Sequence, residues 1–249
     1  MRAAGKVVAA ALEEIAASIV PGSTTTMEVD RLAEAILGRH GAIPSFKGYK
    51  GYPNAVCIAV NEEVVHGIPG PRRLQEGDIV GIDLGAIVDG YHADSAITVQ
   101  VGEVTGEAER LLTVTREALF AGIRAAKIGN RLTDISHAIQ EYVERHHYSV
   151  VRDLVGHGIG REMHEEPQVP NFGRPGRGPR LEEGMTLAIE PMANAGGHEV
   201  ESLPDHWTIV TKDRGLSAHF EHTVAVTKSG PDILTLRPGE MVPTVGQLS

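Results

Sequence analysis

Two ten-residue stretches, LQEGDIVGID (74–83) and LEEGMTLAIE (181–190), share Leu, Glu, Gly and Ile in register and end on Asp83 and Glu190. The pattern leading into each copy repeats as well. Apolar periodicity predicts helices over about 2–19 and 27–40 with a strand near 55–60, then helices over about 106–127 and 134–147 with a strand near 148–155. Thr105 and Thr133 are the expected N-caps of the second helix pair. A chain made of two related halves places equivalent strand ends at one shared interface, so Asp83 and Glu190 are expected to face a common site. No low-complexity linker separates the halves, and residues 1–249 are expected to form one domain.

Bulk properties exclude several classes of function. A formal charge of −10 argues against non-specific binding to nucleic acid or to anionic membranes. The basic stretch GRPGRGPR (173–180) reads as a solvated surface loop. Cys57 is the only cysteine, which rules out an internal disulfide and fits a reducing cytoplasm. The N-terminus has a basic start and an apolar run, but Glu13 and Glu14 interrupt it. Val7, Val8, Ala11, Leu12, Ile15 and Ile19 fall at helical spacing, the mark of an amphipathic surface helix. Nothing approaches the ~18 to 20 apolar residues of a membrane span.

The chemistry lies in the carboxylates. GDIVGIDLGAIVDGYHADSAITVQVG (77–102) reads as a β-hairpin turning at Asp89-Gly90. A loop of those two residues pairs positions whose numbers total 179, and a loop shifted by one residue pairs positions totalling 177. In either register Asp83 and Asp94 share a face, directly opposed or diagonal, roughly 5 to 8 Å apart at the backbone. Glu190 ends the apolar strand MTLAIEP, and Glu221 sits in SAHFEHTVAVT, facing away from Phe220, His222 and Val224. Ionised carboxylates in such strands are rarely left unpaired, and no Lys or Arg lies in these strands to offset them. Two divalent cations would balance the four charges, and an imidazole would add a neutral ligand.

GHGIGREMHEEP (156–167) supplies the imidazoles. Glycine there implies turns or close approach of the backbone to something else. His157, between Gly156 and Gly158, is expected on a loop that brings a nitrogen to a carboxylate-rich metal pair, with His164 facing the same cavity without ligating. An oxygen-rich set with one imidazole suits Mn, Fe or Co and tolerates Zn.

The segments GYPNAVC, VVHGIPG, GDIVGIDLGAIVDGYHADSA, GHGIGREMHEEPQVP, GMTLAIEPM and SAHFEHTVAVT resemble the type I methionine aminopeptidases, and the likeness spans nearly the whole chain. The resemblance implies an α/β (α+β) pita-bread fold with pseudo-two-fold halves, a curved, mainly antiparallel sheet covered by helix pairs. It also implies a dinuclear site. Asp83 would chelate one metal, Asp94 and Glu221 bridge both, and His157 and Glu190 complete the other. Glu190 would move the water proton, His164 would donate to the oxyanion, and His66 would contact the amide after the cleaved bond. Tyr49, Tyr52, Cys57, Met163 and Trp207 occupy the positions of the methionine pocket. Met163 stands where many relatives carry an aromatic residue, and Phe46 where a small one is common. The implied partners are N-terminal Met peptides and nascent chains, with transient ribosome contact, for a cytoplasmic monomer.

The nearest rival is an X-Pro aminopeptidase or prolidase of the same fold, expected to carry an extra N-terminal domain. Another is a non-catalytic pita-bread binding protein, which would be expected to have lost a ligand; here all five positions hold competent side chains. Only 26 positions separate His164 from Glu190, too few for the helical insert of type II enzymes.

Overall fold

Both halves open with a helix pair, as the repeated pattern predicts. In the first, α1 (Arg2–Ser18) and α2 (Thr26–Arg39) precede β1 (Ile43–Pro44), a 3-10 turn (Tyr49–Gly51), β2 (Val56–Val60), β3 (Glu63–Val65), β4 (Ile79–Val88) and β5 (Tyr91–Gln100). In the second, α3 (Gly106–Ala125) and α4 (Leu132–Arg145) precede β6 (Ser149–Val150), β7 (Val155–Gly158), β8 (Glu165–Pro170) and β9 (Thr186–Ile189). The chain continues through β10 (Met192–Asn194), β11 (Val200–Ser202), β12 (Ile209–Thr211), β13 (Ser217–His219), β14 (His222–Thr227) and β15 (Gly230–Ile233). This computed structural model describes residues 1–243; residues 244–249 of the expected domain lie outside the described residues.

The two copies of the repeated stretch adopt one conformation. Gly77 and Gly184 turn with φ +91° and +90°, a left-handed geometry that glycine adopts without strain. Their N–H groups donate to Val101 O and Val226 O, carbonyls at matching places on the partner strand. Leu74 and Leu181, which open the copies, are both buried. One residue earlier, Arg73 and Arg180 form isolated bridges to Thr25 and Arg131, the N-cap residues of α2 and α4. The duplication is therefore structural, down to single hydrogen bonds.

All strand pairs are antiparallel. One sheet sets β4 between β5 on one side and β1 and β2 on the other, and a second runs β15-β14-β9-β7-β8. Helix α1 buries Val8, Leu12 and Ile15, and α3 buries Leu111, Leu119 and Phe120. Each such side chain contributes roughly 1.5 to 3 kcal/mol by leaving water. No helix among the described residues is long and apolar enough to cross a membrane.

Three local expectations need correction. Thr133 does not cap α4, which starts at Leu132 after Arg131; the Asp134 carboxylate accepts from the Arg131 N–H at 2.7 Å. The Thr133 hydroxyl instead accepts from Arg177 N at 2.8 Å and donates to its carbonyl, tying down the basic loop. The strand expected over 148–155 is two short ones, with the chain bending between β6 and β7. Finally, His157 lies in strand β7, not in a loop. Its flanking glycines are there for close approach: a Cβ on Gly156 would fall 2.3 Å from Ala188 O, and one on Gly158 2.3 Å from Glu166 O.

Candidate metal centre

The first pair of carboxylates is set by one tight hairpin. Val88 pairs with Tyr91 across Asp89-Gly90, so the two-residue turn holds and Asp83 pairs with Ala96. Asp94 pairs with Gly85, two places along, which makes the aspartates diagonal neighbours on one face.

The second half reaches the same point from three places. His157 comes from β7 and Glu190 from the residue after β9, where the ladder has ended. Glu221 lies at a joint: the run SAHFEHTVAVT is not one strand but two, and Phe220 and Glu221 carry the chain from one sheet to the next. That joint is stitched to β5. Glu221 N donates to Ala96 O at 2.9 Å, and Ser95 Oγ to Glu221 O at 2.6 Å. Thr223 Oγ1 donates to Asp94 O at 2.8 Å and accepts from Asp94 N at 2.9 Å. These hydroxyl bridges hold Asp94 and Glu221 side by side across the seam between the halves.

One ligand atom each from Asp94, His157 and Glu221 lies within 4.8 Å of the others. His157 Nε2 is 3.7 Å from Glu190 Oε1. Its Nδ1 lies 2.8 Å from Gly158 O, a carbonyl that can only accept, so Nδ1 carries the proton and Nε2 turns its lone pair to the carboxylates. Asp83 Oδ1, Asp94 Oδ1 and Glu221 Oε1 are buried without a hydrogen-bond partner. Burial first, then the neighbouring Asp94 charge, holds Asp83, Glu190 and Glu221 well above the usual carboxylate range. Burial lifts Asp94 to about 7. Orphaned, mutually repelling oxygens around one neutral imidazole fit divalent cations.

These groups floor a cavity of about 350 Å³, also lined by His66, His164, Tyr49, Tyr52, Cys57, Met163 and Trp207. The sequence-predicted site residues thus converge on one place. The apolar members, with Phe46 and Ile68, form their own cluster apart from the main core. Trp207 meets Tyr52 edge to face at 5.1 Å, and the Tyr52 hydroxyl points away, donating to Gly67 O at 2.9 Å. Phe46 is 4% exposed and lines the cavity with this cluster. His66 adopts φ +61°, a left-handed backbone rare outside glycine, and burial lowers its pKa.

His164 stacks on Tyr49 with ring centroids 5.2 Å apart and lies tilted at 39° against His157 at 4.1 Å. Its Nδ1 is 2.9 Å from the Tyr49 hydroxyl, a partnership the sequence did not reveal. Burial, then the nearby His157 and Lys50, lowers its pKa to about 4. His219 was also missed. It is 3% exposed, with Nε2 3.7 Å from Glu190 Oε2, and burial and the neighbouring His66 bring its pKa down to about 3. Strand alternation from Glu221 was the available signal, since residues two apart share a face.

The chain matches metallopeptidase family M24 over residues 1–228. It is 56% identical over 237 residues to a methionine aminopeptidase of Clostridium acetobutylicum, covering 95% of this chain and 94% of that one. The crystal structure of a methionine aminopeptidase from Thermotoga maritima superposes with TM-score 0.93 at 50% identity, covering 94% of each chain. A prolidase from Pyrococcus furiosus, 24% identical with TM-score 0.76 over 95% of this chain and 63% of its own, shares the fold alone. By its pita-bread architecture and by identity along nearly its whole length, the chain belongs to metallopeptidase family M24, among the methionine aminopeptidases.

Proposed function

We propose that this enzyme, one catalytic domain working as a cytoplasmic monomer, hydrolyses the first peptide bond of peptides and nascent chains. Its substrates carry a free N-terminal methionine and a small second residue. The observation that carries the reading is the convergence of orphaned carboxylate oxygens and the His157 imidazole beside a separate apolar cluster. Asp83, Asp94, His157, Glu190 and Glu221 would hold two divalent ions (Co, Mn, Fe or Zn), Asp94 and Glu221 shared between them. Bound there, such ions supply an activated water at neutral pH and polarise the scissile carbonyl.

The chain's own groups do the rest. Glu190 takes the proton of the attacking water and passes it towards the leaving amine. His164, neutral and accepting at Nδ1 from the Tyr49 hydroxyl, keeps its proton on Nε2 and donates to the oxyanion. His66 contacts the amide that leaves, and its loop crowds the second residue. Tyr49, Tyr52, Cys57, Met163 and Trp207 receive the thioether, at roughly 0.3 to 1.5 kcal/mol per sulfur–aromatic contact.

A peptide panel with Co or Mn present tests this. Met-Gly and Met-Ala peptides should be cut well, Met-Lys and Met-Glu poorly, and N-acetylated Met peptides not at all. Leucine for methionine costs only ~1 to 3 kcal/mol in an apolar pocket, so Leu peptides should be slow but detectable. Preference for X-Pro, or cleavage of acetylated Met peptides, would overturn the reading.

A further inference from the structure

Glu190 meets two imidazoles, one at each oxygen. His157 Nε2 stands 3.7 Å from Oε1, and His219 Nε2 stands 3.7 Å from Oε2. The first has a lone pair to offer, because its Nδ1 proton is spent on the Gly158 carbonyl. The second is in a different position. His219 Nε2 is buried and has no hydrogen-bond partner among the described residues. A buried polar nitrogen without a partner is costly, and the only anion within ion-pairing distance of it among the described residues is the Glu190 carboxylate.

The backbone around His219 is built to aim that nitrogen. On one side its backbone N–H donates to Thr98 Oγ1 at 2.9 Å, and Thr98 Oγ1 donates to His219 O at 2.8 Å. On the other side β13 pairs with β10, setting His219 opposite the fully buried Met192. The backbone that carries the ring is thus held from both edges. Glu190 lies just past the end of β9; its backbone carbonyl accepts from Asn171 Nδ2 at 3.0 Å, but no hydrogen bond among the described residues holds its carboxylate.

We infer that His219 is a positioning residue for Glu190: the 3.7 Å approach of Nε2 to Oε2 closes to hydrogen-bond length in the working enzyme, where Nε2–H donates to Oε2 and holds that carboxylate at the oxygen His157 does not face. The rotation of Glu190 about its side-chain axis is then restricted, and one oxygen is kept towards the cavity to receive a proton while the other is occupied. The inference rests on the reading of Glu190 as the proton carrier, so the test includes a Glu190→Gln control.

The variants are His219→Leu, His219→Gln and His219→Asn, each assayed for kcat and KM on a Met-Ala peptide, for thermal unfolding, and for Mn²⁺ binding by calorimetry on metal-free protein. Loss of a hydrogen bond to a charged group should lower kcat about ten- to hundredfold in His219→Leu, with KM little changed. His219→Gln, which reaches as far with an N–H donor, should recover most of that loss, whereas the shorter Asn should not. Mn²⁺ stoichiometry should stay that of the unmodified enzyme in all three. Should Leu fail to fold, the contrast between Gln and Asn still decides. Unchanged kcat in the Leu and Asn variants overturns the inference, as do equal losses in Gln and Asn that track thermal stability. Loss of a metal equivalent in every variant would make His219 a ligand instead. If Glu190→Gln stays active, the proton-carrier reading fails first; if it is inactive while His219→Leu is not, only the positioning role fails.

Discussion

The first half of the chain carries its two site carboxylates on one hairpin, β4 and β5, joined by Asp89-Gly90. The second half has the corresponding strands, β9 and β14, but inserts β10 to β13 between them. The same frame is thus closed once by a two-residue turn and once by a long excursion. The excursion makes the site asymmetric. It supplies Trp207 to the apolar cluster, His219 beside Glu190, and the joint at which Glu221 crosses from sheet to sheet. A duplicated scaffold gives paired carboxylates; breaking the duplication gives a direction to the chemistry.

The largest expected effect tests whether the halves meet as equals at their seam. Asp94→Ala and Glu221→Ala each remove a carboxylate that the proposal shares between both ions. Either should lower kcat/KM by about 10³-fold or more, several kcal/mol of lost transition-state stabilisation. Because each removes a charge that repels its neighbours, the metal-free variants should be no less stable than the parent. Full activity of either variant in metal-saturated assay would end the shared-ligand reading.

Within the second half, the two histidines of GHGIGREMHEEP should separate. His157→Ala should weaken metal binding. His164→Ala should keep its metal and lose roughly ten- to a thousandfold in kcat, as expected for an oxyanion donor. Equal metal loss in both, measured by elemental analysis, would make His164 a ligand.

A smaller effect concerns pH. Burial raises Asp83, Asp94, Glu190 and Glu221 above their unfolded values, with the Asp94 charge adding to it at the other three, so the metal-free folded state holds protons that the unfolded chain has released. Their contribution is complete below the unfolded pKa of about 4 and is lost as pH rises through the raised folded values, about 7 for Asp94. The buried histidines act the other way, with folded pKa values lowered, and their contribution is complete above about 6.5. Between about pH 6.5 and 8, where the histidine contribution is complete and Asp94 releases its proton, the carboxylates therefore govern. The Tm of metal-free protein should fall across that interval, on the order of 1 kcal/mol of stability per raised group and pH unit. Mn²⁺ should abolish the slope. A flat apo profile would show that the four carboxylates are not under strain.

The smallest effect is also the most symmetric. Gly77→Ala and Gly184→Ala each force a side chain onto a left-handed turn, at a cost of about 1 to 2 kcal/mol. Nothing lies within 3.8 Å of a Cβ at either position, so the costs should match, as read by denaturant unfolding. Unequal costs would show that the halves have diverged even in their shared turn.

Local chemistry was legible wherever a short range of sequence decides the structure. The hairpin followed from Asp89-Gly90 and alternation, and Thr105 does cap α3, accepting from Ala108 N at 3.2 Å. Thr133 misled because two acceptors competed for one helix start, and Asp134 took the open N–H. The glycines around His157 misled for another reason. A glycine chosen for φ and one chosen for close packing look alike in sequence, and only the neighbouring strands show that Gly156 and Gly158 are the second kind.

By itself, then, the sequence determined the duplicated frame, the face shared by Asp83 and Asp94, and a surplus of buried negative charge that asks for cations. Those follow from periodicity, turn chemistry and charge, which act over a few residues. Tertiary structure alone decided how the halves register against each other. The pairing of Asp94 with Glu221 through Thr223 and Ser95, the stacking of His164 on Tyr49 and the approach of His219 to Glu190 join residues far apart in the chain. Such contacts depend on how two packed surfaces fit, and no local pattern records that fit.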